Sequence, residues 1–229
     1  MENIFLTGPP TSNVIKFLTF FMIYILVLGY ASRVFASNEW QYWNKIKLKH
    51  SYGNNLDAHF NIEQKFVDDF NHLGTHNYAP GVVFKINKHF DFELNYKYET
   101  VKGETEWSEE HRVELIPTIN WKLKEYKIQI KSRFERRIVE GKNKWVWREK
   151  LKTKRQIKIS VFEFTPFVSE EIFYDFKINE FNQNRFAIGL SKMITKNLGI
   201  DLYYMRKNNK RDGAWPGVNI LGTEFAIKF

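Results

Sequence analysis

The stretch from Phe90 to Tyr98 is apolar and polar by turns: Phe90, Phe92, Leu94, Tyr96 and Tyr98 alternate with Asp91, Glu93, Asn95 and Lys97, and Glu99 follows. A period of two puts successive side chains on opposite faces of a β-strand and suits no helix. Leu56, Ala58, Phe60 and Ile62 alternate in the same way with Asp57, His59, Asn61 and Glu63, and Phe186, Ile188 and Leu190 with Arg185, Ala187, Gly189 and Ser191. Because the pattern recurs from Trp40 to Phe229, the chain is predicted to be all-β and of one domain. Interleaving of this kind explains how 17% aromatic and 27% charged residues coexist with a mean hydropathy of −0.46.

A soluble β-sandwich also alternates, apolar inward and polar outward. Three features favour the inverse arrangement, apolar outward and polar toward a lumen. The alternating segments run to about 10–14 residues, whereas ordinary strands are about 5–6. Aromatic residues gather near segment ends, as at Trp40, Tyr42, Trp121, Trp145, Trp147 and Tyr204, which suits interfacial girdles. Finally, Phe225, Ile227 and Phe229 share one face at the end of the chain, similar to the terminal aromatic signature by which outer-membrane barrels address their assembly machinery. The predicted fold is a transmembrane antiparallel up-and-down β-barrel.

The N-terminal region agrees with export. An uncharged apolar block of about 13 residues begins at Phe17, after Lys16, and Val34-Phe35-Ala36 follows it. That length suits the core of a signal peptide better than a membrane span, with cleavage expected after Ala36. The expected division is therefore a cleavable leader over 1–36 and a barrel over 37–229; an uncleaved anchor using residues 14–30 is the rival reading. With no cysteine in the chain, disulfides and thiolate chemistry are excluded. The expected location is the outer membrane of a double-membraned bacterium.

Eleven alternating segments can be counted, the first from Trp40 to His50, yet a chain that starts and ends in the periplasm needs an even number, so ten or twelve strands are expected. Short connections lie near 87–88, 122–124, 156–160 and 196–197. Longer ones, at 67–77, 101–110, 140–144, 175–182 and 207–217, are assigned to the outer surface.

The phase of each segment places its charges. Phe134 shares a face with Tyr126, Ile128 and Ile130, so Arg133, Glu135 and Arg137 point inward, and Arg148 and Lys150 do so opposite Trp147 and Leu151. Arg112, Glu114, Glu163, Glu171, Arg185, Asp201 and Glu224 join them. A lumen charge network is therefore expected, with Arg112, Glu114, Arg133, Glu135, Arg137, Arg148, Lys150, Glu171 and Arg185 as its members. Paired Arg and Glu side chains would brace a narrow barrel; the net charge of +9 would also suit a weakly anion-selective pore.

These residues carry a resemblance. Arg133-Phe134-Glu135-Arg136-Arg137, then Trp147, Arg148 and Lys150, Glu171 with Phe173, and Arg185 with Gly189 resemble the motifs of bacterial outer-membrane proteins grouped as a domain of unknown function, DUF2490, over about Trp43 to Phe229. Members tend to carry Arg at the position of Lys150, a change that keeps the charge and loses the bidentate fork. The resemblance implies an outer-membrane barrel and no particular activity.

Enzyme chemistry finds little support. His59 is the one histidine on a lumen face, and Ser169 and Ser191 lie on distant strands. His72 and His76 are expected in an outer loop without a third metal ligand, and Asp68 and Asp69 are adjacent and point apart. The basic runs, such as Lys152, Lys154 and Arg155, lack a nucleic-acid recognition motif. The expectation is a monomeric structural or passive narrow channel, not an enzyme, without cofactor or metal. Its partners would be outer-membrane lipid and lipopolysaccharide, with periplasmic chaperones and the barrel-assembly machinery during biogenesis, and no nucleic acid. The alternative is a surface-binding or enzymatic barrel that acts through its outer loops on lipopolysaccharide or phospholipid.

Overall fold

The computed structural model describes residues 36–103, 105–159 and 162–229; the expected leader lies outside them except for Ala36, which opens the first strand. The alternating segments form β1 (Ala36–Tyr52), β2 (Leu56–Val67), β3 (His72–Lys85), β4 (Phe90–Lys102), β5 (Trp107–Leu123) and β6 (Tyr126–Val139). They continue as β7 (Lys142–Arg155), the three-residue β8 (Ile157–Ile159), β9 (Phe162–Asp175), β10 (Glu180–Met193), β11 (Leu198–Asn209) and β12 (Gly217–Lys228).

Each wall strand pairs with its neighbours in one sheet that closes on itself. The wall has eleven strands, and β8 extends the line of β7 beyond Gln156 to pair with the start of β9. The expected ten or twelve is thereby corrected. The count of alternating segments was sound, and the requirement for an even number was not: β1 meets β12 in parallel, from Trp40 opposite Asn219 to Lys49 opposite Lys228, whereas every other pair is antiparallel. A parallel seam lets an odd number close.

Connections do alternate between the two ends, but the predicted long ones are shorter than expected because the strands run on into them. The segment 67–77 reduces to a turn at 68–71, so His72 and His76 belong to β3 rather than to a loop. The segment 140–144 is a two-residue hairpin, Glu140 at φ 48° and Gly141 at φ 75°, the double positive φ that matches strand twist. At this wide end β4 also passes to β5, and the connections 176–179 and 210–216 follow. Connections at the tight end, where β12 finishes, cover 53–55, 86–89, 124–125 and 194–197, and β8 lies at the same end between β7 and β9.

The outer face is a band of large apolar side chains that includes Phe60, Leu94, Val113, Phe134, Ile188 and Leu202, each at least 37% exposed. Trp40, Trp107 and Trp145 mark its wide-end border, and Tyr52, Trp121 and Tyr126 its tight-end border. Phe225 and Ile227 lie on this outer face of β12, in register with Ile46 and Leu48 of β1, while Phe229 follows the strand and donates its backbone N–H to the Lys49 carbonyl. The band has a polar interruption: Ser132 Oγ donates to Glu149 Oε2, and Glu170 stands one strand further on.

Inside, one sector of wall is apolar: Trp43, Ala187, Met205 and Ile220 are buried together, with Tyr203 and Val218 against them. Gly222 makes room for this packing, since a Cβ there would lie 2.0 Å from Tyr203 Cζ, and Gly189 does the same for Phe167 Cζ at 2.6 Å.

Candidate functional site

A cavity of about 460 Å³ occupies the lumen, lined by thirteen Lys and Arg side chains against seven carboxylates. An eighth carboxylate, Glu135, is wholly buried beneath the arginines. The period of two delivers these residues to one surface, and the register of neighbouring strands decides which of them meet.

Glu135 on β6 is the hub. Arg148 Nη1 lies 2.6 Å from its Oε1, Arg137 Nε donates to its Oε2 at 2.7 Å, and Arg133 and Arg112 approach to 3.7 and 3.9 Å. Four guanidinium groups thus converge on one carboxylate. From this hub a chain of contacts runs both ways around the wall. In one direction Arg148 reaches Glu171 Oε1 at 2.6 Å, and Glu171 Oε2 lies 3.8 Å from Arg185. In the other, Arg112 contacts Glu99 at 2.8 Å, and Glu99 accepts from Lys65 at 3.3 Å. Trp43 on β1 joins the two arms, because Arg185 and Lys65 both sit over its ring, 5.1 and 4.9 Å from the centroid. The result is a closed belt of alternating bases and acids around the whole inner wall, completed by cation–π contacts.

The nine residues expected in the lumen network all face inward, but their roles differ. Arg112, Glu135, Arg148, Glu171 and Arg185 lie in the belt. Arg133 and Arg137 flank Glu135, and Arg137 also lies 3.7 Å from Glu110. Glu114 is buried beside Arg133 at 3.4 Å and accepts from Asn95 at 3.2 Å, one step toward the tight end. Lys150, like Lys47 and Lys207, has no carboxylate within 4.0 Å among the described residues. Asp201 pairs with Lys152 and Glu224 with Lys45, while Glu163 lies at the tight-end rim, bonded to Gln156.

Sequence reading missed Trp43, Lys65 and Glu99 as belt members. Glu99 and Lys65 carried the right signal, a charge in inward phase. Trp43 carried the same phase, although an aromatic in a charged lumen is easily read as a girdle residue. Nearer the tight end, Asp57 is buried between Lys49 and Lys85, at 2.6 and 2.7 Å. His59 is buried 3.6 Å from Glu93, with Ser169 on β9 and Ser191 on β10. His76 packs beside Thr100 and Trp107 on the outer face, His72 lies 3.5 Å from Asp68, and Asp69 Oδ1 accepts from the Trp40 backbone N–H.

A family model described as a protein of unknown function (DUF2490) matches residues 40–217, most of the chain and every member of the belt. The chain belongs to the DUF2490 family. No curated protein matches this DUF2490 chain. Among solved structures it is similar to an anion-selective porin from Comamonas acidovorans, at a TM-score of 0.38 and 11% identity, covering 74% of this chain and 56% of that one. The DUF2490 chain therefore spans little more than half the length of that porin.

Proposed function

We propose that this barrel crosses the outer membrane of a double-membraned bacterium as a narrow passive channel that favours anions. The observation that carries the reading is the lumen surplus, thirteen cations against seven lining carboxylates around a polar cavity. A ring of excess positive charge in a low-dielectric wall concentrates anions and repels cations. Membrane insertion is supported by the outer apolar band with aromatic borders at both ends, and by wall strands of 12–17 residues, long enough to cross the hydrocarbon at a tilt. In this reading the tight end faces the periplasm, Phe225, Ile227 and Phe229 address the assembly machinery, and lipid and lipopolysaccharide surround a monomer.

The closed belt supports a second reading, a purely structural barrel whose cross-linked inner wall resists ion flow. Conductance of the purified, refolded chain in a planar bilayer under a salt gradient separates the two. The channel reading expects steady current with a reversal potential of the anion-favouring sign; a folded, silent barrel, or a cation-favouring sign, overturns it.

A further inference from the structure

Trp43 gathers more positive charge than the belt needs. Besides Lys65 and Arg185, Lys207 Nζ also lies over its ring, 6.0 Å from the centroid. The three cations are not equally satisfied. Lys65 is held by Glu99 at 3.3 Å and Glu63 at 3.5 Å. Arg185 has a distant share of Glu171, at 3.8 Å, whose other oxygen is taken by Arg148, and with the Gln183 amide turned to face it the guanidinium donates to the Gln183 side-chain oxygen at 2.8 and 3.0 Å. Lys207 has neither a carboxylate at ion-pair distance nor a side-chain hydrogen-bond partner among the described residues, and only the more distant Glu39 and Glu99 offset its charge.

Register sharpens the imbalance. Arg185 of β10 and Lys207 of β11 stand directly opposite one another, both facing the cavity. Like charges in directly opposed positions destabilise a strand pair, and the acids nearest in influence to Lys207, Glu39 and Glu99, stand beyond ion-pair distance from it. An oxyanion between them would remove that repulsion and gain charge-assisted hydrogen bonds, with the guanidinium offering a fork and the ammonium a point charge. Lys207 lies two residues before the end of β11, so the position is reached from the wide-end mouth.

We propose that Lys207 and Arg185, with Lys65 beyond them around Trp43, bind the oxyanion group, carboxylate or phosphate, of a small solute entering from the wide end. The proposal rests on the channel reading only in requiring that this mouth be open to water.

The test is equilibrium binding by calorimetry on the refolded chain in detergent, with inorganic phosphate and acetate as separate probes in a chloride background. Saturable binding of at least one probe is expected, and the tighter of the two identifies the solute class. Lys207→Gln should weaken it tenfold or more, Lys207→Arg should retain it, and Lys47→Gln, which removes an equally unpaired lysine elsewhere in the lumen, should leave it unchanged. Heat-dependent gel mobility confirms that each variant is folded. Absence of saturable binding, or equal weakening by Lys207→Gln and Lys47→Gln, overturns the site. A conducting barrel that binds neither probe keeps the channel and removes the site, whereas a silent barrel that binds one does the reverse.

Discussion

Replacing Glu135 by Gln preserves shape and one acceptor oxygen while removing the negative charge on which four guanidinium groups converge. Arg148 would keep Glu171 and Arg112 would keep Glu99 and Glu110, but Arg137 would be left with Glu110 at 3.7 Å and Arg133 with Glu114 at 3.4 Å. Breaking a buried ion pair by removing one partner costs about 3–5 kcal/mol. Arg133 and Arg137 retain 20% and 18% of their side-chain exposure, so lumen water recovers part of that and the lower end applies. About 3 kcal/mol in a chain of this size corresponds to a fall of about 6–12 °C in Tm. Heat-dependent gel mobility and denaturant unfolding in detergent read the change, and Glu224→Gln is the control. Its pair with Lys45 is 30% exposed on both sides, and its loss should cost less than about 1 kcal/mol. A double variant with Arg137→Gln should lose less than the two single losses together, by about 0.5–3 kcal/mol. If Glu135→Gln unfolds with wild type, or no earlier than Glu224→Gln, the hub does not hold the wall.

Two further outcomes follow from the same geometry. Gly222→Val should prevent formation of the heat-resistant barrel, because its Cβ would fall 2.0 Å from Tyr203 Cζ, and Tyr203→Ala should restore folding in the double variant; a folded single variant would contradict the packing at the seam. Lys47→Gln with Lys150→Gln should move the reversal potential toward that of a non-selective pore while leaving the unfolding midpoint within about 1 kcal/mol of wild type, and an unchanged reversal potential would mean that unpaired lysines do not set selectivity.

Which face each strand shows was readable from sequence because a period of two has only two phases: once Phe134 is outward, Arg133 and Glu135 must be inward. Partner identity was less readable. Lys65 meets Glu99 from two strands away, which depends on register and on side chains crossing the lumen rather than on any local pattern. Phase alone marks the nine network residues, so it takes in Lys150, whose neighbours leave it unpaired, and gives no reason to single out Trp43, on which two arms of the belt meet. Strand count failed for a different reason. Eleven segments were visible, but pairing between β1 and β12 joins residues nearly 180 positions apart, as Lys45 and Glu224 do, and nothing local distinguishes a parallel seam from an antiparallel one. The wide-end connections were read as long because polar residues such as His72 and His76 resemble loop composition, whereas backbone pairing carries the strands past them.

The parallel seam also orders events in time. Every wall strand from β2 to β11 acquires its partners from its own hairpin or the next, but β1 has β2 on one side and nothing on the other until β12 exists. Its row of backbone donors and acceptors from Trp40 to Lys49 remains an open template until β12 arrives, the condition under which strands recruit wrong neighbours. Closure is a contact of near-maximal sequence separation and therefore slow to find. The last twelve-residue strand is thus the clasp of the molecule: loss of β12 would expose two unpaired edges at once, β1 and β11, and convert a sealed cylinder into an open, self-associating sheet.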